Sequence, residues 1–181
     1  MKEKFAPTIV LGVICLIASL LLAAVYQVTA PKIEEITIAN ANAARAEVMP
    51  EATGFADVSE KITVEDVTEI YEAENGTGYV ITAACKGFGG DITVMTAITP
   101  DGTIEAVKVT DASNETAGLG SRTTEADHAA KFTGAAKLTM NADETDAQYI
   151  APISGVTYSS KGVFNAVNAA LQQFAEIGGA Q

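Results

Sequence analysis

The first thirty residues constrain this chain more than any other feature. From Ala6 to Ala30 every residue is apolar, small or uncharged, with no Asp, Glu, Lys or Arg in the run. A helix needs about 20 such residues to cross the hydrocarbon core of a bilayer, whereas the apolar centre of a cleaved secretory signal spans about 7–15. Length therefore favours a retained single-pass anchor over residues 1–30. Pro7 costs little in a first helical turn, where its missing N–H would have no partner. Val28-Thr29-Ala30 has the small residues of a signal-cleavage site, but Pro31 follows directly and disfavours a cut. Cys15, preceded by Gly12-Val13-Ile14, does not resemble a lipid-attachment site. Lys2 and Lys4 precede the run, and Lys32 behind it is followed by Glu34 and Glu35. The positive-inside bias then leaves the N-terminus in the cytoplasm and everything after Pro31 outside.

What lies outside is strongly acidic. Taking Lys2, Lys4 and Glu3 from the 11 basic and 23 acidic residues leaves 9 and 22, a charge of −13 on the exported part. Nucleic acid is excluded as a partner, because binding it needs a basic surface. The two cysteines are Cys15 in the apolar run and Cys85 far beyond it, so no internal disulfide is expected. No paired Cys or Cys/His cluster offers a zinc or iron–sulfur site. His128 stands alone in Ala126-Asp127-His128-Ala129-Ala130 and reads as a surface helical histidine.

After the anchor, Ile33, Ile36, Ala43, Ala44 and Val48 suggest a helix that Met49-Pro50 ends, and residues 51–66 read as a loop, making 31–66 a connector. Strand signals follow in the domain of residues 67–181. Val67–Glu74 and Tyr79–Cys85 flank Asn75-Gly76-Thr77-Gly78, a hairpin signature. Ile92–Thr99 and Ile104–Val109 flank Pro100-Asp101-Gly102, a second one. A helix is expected over about Thr124–Ala136. A clearer one places Val163, Val167, Ala170, Leu171 and Phe174 on one face, with Ser159 and Ser160 as caps at its start. The class is α+β, an antiparallel sheet with flanking helices.

Gly87-Phe88-Gly89-Gly90 lacks the spacing of a dinucleotide loop, Lys161-Gly162 is no P-loop, and there is no nucleophile elbow. Two segments remain. Pro152-Ile153-Ser154-Gly155-Val156-Thr157-Tyr158-Ser159-Ser160 is a hydroxyl-rich loop running into the best-marked helix, where free N–H groups and the helix dipole favour a phosphate. An ordinary turn with serine caps reads the same way locally. Asn114-Glu115-Thr116-Ala117-Gly118-Leu119-Gly120 holds two glycines that let backbone and Leu119 approach a flat ligand. Taken alone it is a loop with a solvated Glu115.

In this order the residues resemble a family. The anchor, Lys86-Gly87-Phe88-Gly89-Gly90, the Asp101-Gly102 hairpin, Glu115-Thr116-Ala117-Gly118-Leu119-Gly120, Phe132 and Ser154-Gly155-Val156-Thr157-Tyr158-Ser159-Ser160 are similar to the G subunit of Rnf-type ion-translocating oxidoreductases. More distantly they resemble the C subunit of sodium-translocating NADH:quinone reductase. The resemblance covers nearly the whole chain and implies an FMN-binding α+β domain. It implies FMN joined by a phosphoester to Thr157 through a dedicated flavin transferase, which makes the chain formally a phosphoprotein. Ser154, Gly155, Val156, Ser159 and Ser160 would surround the attachment, and Glu115, Thr116, Gly118, Leu119 and Gly120 would lie near the ring. Three positions depart from the family: Val156 replaces an alanine, Ala117 a proline, and Ala151 an aspartate.

The implied role is electron relay in a translocase of the bacterial inner (cell) membrane that couples ferredoxin and NAD⁺ chemistry to ion transport. Other subunits would be its partners. The rival is a flavin-free anchored domain that binds an extracytoplasmic partner or ligand, and the colour of the denatured chain separates the two.

Overall fold

The computed structural model describes residues 2–178. The side chains of residues 2–9 and of Glu34 lie outside the described residues, and with them the Lys2 and Lys4 flank used for orientation. Helix α1 runs unbroken over Lys2–Val48. Pro31 sits inside it, so the apolar run and the expected connecting helix are one element. From Val10 to Val28 every large apolar side chain is more than half exposed, and the helix is long and apolar enough to cross a membrane. A helix apolar on all sides has no polar face to turn to water. The chain divides into a unit ending at Asn42 and a second one beginning at Ala43.

The second unit is built on a five-stranded antiparallel meander in sequence order. Its strands are β1 (Phe55–Asp57), β2 (Val67–Ala73), β3 (Tyr79–Lys86), β4 (Asp91–Ile98) and β5 (Ile104–Asp111). The two expected hairpins are β2–β3 and β4–β5, turned by Gly76 at φ +73° and Gly102 at φ +84°. β1 was not expected. It is a three-residue edge strand pairing Phe55 with Ala73, within the stretch read as loop. Three residues are too few to show the alternation that marks a strand.

Both faces of the sheet are covered. On one face lies α3 (Thr157–Glu176), whose Val163, Val167, Ala170 and Phe174 pack on Ile70, Ile81, Ile92, Val94 and Ile98. On the other, Ala44 and Val48 from the last turns of α1, with Met49 just after it, pack against Val80, Met95 and Ala97. The buried Arg45 joins this packing, its guanidinium 3.5 Å above the Tyr71 ring and 3.2 Å from Glu69. Gln173, fully buried on α3, accepts the N–H groups of Thr63 and Val64 and donates to the Lys61 carbonyl. That side chain ties the otherwise irregular 61–64 segment to the core.

The helix expected over Thr124–Ala136 does not form as one element. A 3-10 turn at Gly120–Thr124, a single α-turn α2 (Ala126–Ala129) and a second 3-10 turn at Ala130–Phe132 replace it. Tertiary bonding overrides the local pattern: Ile104 donates to the Ala135 carbonyl and Gly134 donates to that of Ile104, drawing the chain onto β5. His128 is likewise not on the surface. It is 2% exposed, edge-on to Phe132 at 5.6 Å, with neither ring nitrogen partnered among the described residues. Short parallel strands β6 (Leu138–Thr139) and β7 (Gln148–Tyr149) lead into the segment before α3.

Candidate functional site

Three segments far apart in sequence meet at the start of α3. They are the Gly87–Gly90 turn joining β3 to β4, the loop 115–120 after β5, and residues 154–159. Glu115 ties them together. Its side chain accepts the N–H of Phe88 at 2.8 Å, the N–H of Gly89 at 3.0 Å and the Ser159 hydroxyl at 2.5 Å. Glu115 is 7% exposed, not solvated as the loop alone suggested. Burial pushes its carboxyl up, but the Ser159 hydroxyl and the N–H groups of Gly89, Phe88 and Gly90 outweigh that and hold it below its ordinary value of 4.5.

The turn needs glycine to reach this carboxylate. A Cβ on Gly89 would stand 1.9 Å from the Asn114 carbonyl oxygen, a backbone atom that cannot step aside. On the other side of the site, Gly155 at φ +79° reverses the chain just before α3.

Helix α3 begins at Thr157, earlier than expected, with Val156 at the N-cap position and no side chain capping the first turn. Ser159 and Ser160 are therefore not caps. Both are buried inside the first turn, where Ser160 Oγ accepts the Ile153 N–H at 3.0 Å and Ser159 faces Glu115. Hydroxyls that serve tertiary partners are withdrawn from capping, which leaves the first N–H groups of the helix open to an external acceptor. No acidic residue lies in that first turn.

Beside Thr157 is a cavity of about 210 Å³. Of the residues singled out in the sequence, Glu115, Thr116, Leu119, Gly120, Gly155, Val156, Thr157 and Ser159 line it. Ser154, Ser160 and Gly118 do not. Ser154 is exposed before the turn, Ser160 is buried behind it, and Gly118 donates its N–H to Ser121 Oγ at 2.9 Å. Thr157 itself is exposed, whereas Val156, the residue standing in for alanine, is only 5% exposed. Sequence reasoning missed Phe88 and Tyr158, which also line the cavity and are each 72% exposed. Both sit within motifs already noted, but only their exposure side by side distinguishes them. Among the described residues no cluster of His, Cys, Asp and Glu could hold a metal.

The arrangement is an exposed hydroxyl on an uncapped helix N-terminus, next to a cavity with aromatic and aliphatic walls. It suits a ligand with a phosphate at one end and a flat aromatic ring system at the other, which is the build of FMN. Residues 87–172 match the family described as FMN-binding domain, and that range holds all three segments. The chain is 30% identical over 174 residues to the G subunit of the proton-translocating ferredoxin:NAD(+) oxidoreductase complex of Clostridium ljungdahlii, covering 93% of this chain and 90% of that protein. It is 33% identical, over an alignment of 193 positions, to the G subunit of the Na(+)-translocating ferredoxin:NAD(+) oxidoreductase complex of Acetobacterium woodii, covering 96% of this chain and 92% of that protein.

Proposed function

This chain belongs to the family of G subunits of ion-translocating ferredoxin:NAD(+) oxidoreductase complexes, and from that premise we propose that it relays electrons through an FMN bound covalently at Thr157. The observation that carries the attachment is the position of Thr157, an exposed hydroxyl in the first turn of α3 with no side chain capping that turn. FMN, when bound, supplies both one- and two-electron redox chemistry.

The residues of the chain set where it is held. Thr157 Oγ1 would provide the ester oxygen, and the positive end of the α3 dipole would favour a phosphate there. That placement contributes about 1 kcal/mol or less at an exposed site, too little to retain the cofactor without the covalent bond. Glu115 fixes the Gly87–Gly90 turn and loop 115–120 to the same helix turn, so the walls of the cavity move with the attachment point. Val156, the departure from alanine, is 5% exposed and lines the same cavity as Thr157, so the extra methyl groups narrow that cavity rather than project to the surface.

Helix α1 anchors the chain as a single span of the bacterial cell membrane, with the N-terminus cytoplasmic and the second unit extracytoplasmic. A covalent cofactor suits that side, where lost FMN is not readily replaced. The other subunits of the complex and a flavin transferase are its partners. A chain co-expressed with the transferase fluoresces as a flavin after denaturing electrophoresis, and Thr157→Ala leaves the band dark in a folded protein. Equal fluorescence from both moves the attachment to Ser154 or Ser159. A dark wild-type band supports the flavin-free anchored domain instead.

A further inference from the structure

A phosphoester at Thr157 fixes the phosphate of FMN and nothing more. Between phosphate and ring lies a flexible ribityl chain, so the seat of the ring is set by non-covalent contact with the protein. Outside α1, the exposed large hydrophobic residues described are Phe88, Leu119, Tyr149 and Tyr158. Single exposed hydrophobics are ordinary, but grouped ones mark a binding surface. Here three of the four line one cavity together with Thr157.

Two of these three form a pair. The rings of Phe88 and Tyr158 lie 6.4 Å apart at 49°. Sandwiching a third ring needs roughly 7–8 Å between parallel faces, two contacts of 3.5–4.0 Å each. The pair is too close and too tilted for that, and instead presents one continuous aromatic wall. The wall is held in place at its base: the Phe88 N–H is bonded to Glu115, and Ser159, next to Tyr158, donates to the same carboxylate. At about 210 Å³ the cavity is smaller than the roughly 300 Å³ that encloses a drug-sized ligand, so a ring seated here is covered on part of its surface only.

We infer that Phe88 and Tyr158 form the surface on which the flavin ring rests, a role that depends on the covalent attachment proposed above. The pair fixes the ring and excludes water from one part of it, and Thr157 fixes the phosphate. A phenol in contact with a flavin quenches its fluorescence by donating an electron to the excited ring, which returns after decay with no net chemistry. An immobilised flavin also acquires visible circular dichroism that a freely turning one lacks.

The test uses the full chain, flavinylated by co-expression with its transferase, and the Phe88→Ala/Tyr158→Ala variant. Intact mass establishes attachment in each. With FMN attached to both, the variant is expected to fluoresce several-fold more strongly and to lose visible circular dichroism. Attached flavin with unchanged fluorescence and dichroism overturns the inference alone. Absence of FMN from the wild-type chain overturns the attachment reading and this inference with it. Because Tyr158 adjoins Thr157, the double variant can lose attachment through the transferase. Phe88→Ala, distant in sequence, then decides by the loss or retention of dichroism.

Discussion

Removing the Glu115 carboxylate tests whether the site is held together as described. In Glu115→Ala, the N–H groups of Phe88 and Gly89 and the Ser159 hydroxyl lose their acceptor. Each buried, unsatisfied donor costs about 1–3 kcal/mol, and the adjoining cavity lets water relieve part of that. The net loss is expected near 3 kcal/mol, a large share of an ordinary domain stability of about 5–15 kcal/mol. For a unit of this size it lowers the melting temperature by roughly 10 °C. Glu115→Gln keeps one acceptor oxygen and gives up the charge, for a loss of about 1–2 kcal/mol. The assay is thermal unfolding of the full chain in detergent, followed by near-ultraviolet circular dichroism of the tyrosines. Acidity adds a signature. The folded carboxyl lies below its ordinary value of 4.5, so its contribution is complete above that pH and is lost as pH falls through the folded value. The gap between wild type and Glu115→Gln should therefore close in acid. A Glu115→Ala chain melting within about 2 °C of wild type, or a gap to Glu115→Gln that does not change with pH, would show that this carboxylate does not hold the three segments together.

Two further predictions concern buried groups outside the site. Burial, with the Lys131 charge second, lowers the His128 imidazole from 6.5 to about 4. The unfolded chain takes up this proton first as pH falls, so wild type loses stability between those values, by up to about 1.4 kcal/mol per pH unit, and His128→Phe removes that slope. Denaturant titrations at several pH values check it, and parallel curves for the two chains would count against the buried neutral histidine. Burial, with Asp66 next, pushes the Cys85 thiol up to about 12. Thiol alkylation at neutral pH should therefore reach Cys85 only after unfolding, and thiol reductant should leave the melting temperature unchanged. Rapid labelling of the native domain would contradict its burial.

Much of the scaffold was legible because its signals are local. Asn75-Gly76 and Pro100-Asp101-Gly102 mark the two hairpins within four or so residues each, and the spacing of Val163, Val167, Ala170 and Phe174 marks the buried face of α3. What local pattern missed is what long-range bonding decides. Residues around Thr124–Ala136 have the makings of a helix, yet two backbone bonds to Ile104 break it. Nothing near His128 signals that Phe132 will turn it inward. Ser159 reads as a cap until a carboxylate 44 residues earlier in the chain claims its hydroxyl. The residues of the site were named mostly by family resemblance. Their assembly around Glu115, and the aromatic pair at its edge, depend on contacts between segments that no spacing encodes.

The attachment at Thr157 is tested most directly by peptide mass mapping of the chain purified from cells that also make the flavin transferase. Trypsin cutting after Lys137 and Lys161 releases residues 138–161, which contain Ser154, Thr157, Tyr158, Ser159 and Ser160 on one peptide. Fragmentation of that peptide is expected to show the mass of FMN less one water on Thr157 and on no other residue. An unmodified peptide from chain that has been exposed to the transferase, or the same added mass on Ser154 or Ser159, would contradict the account.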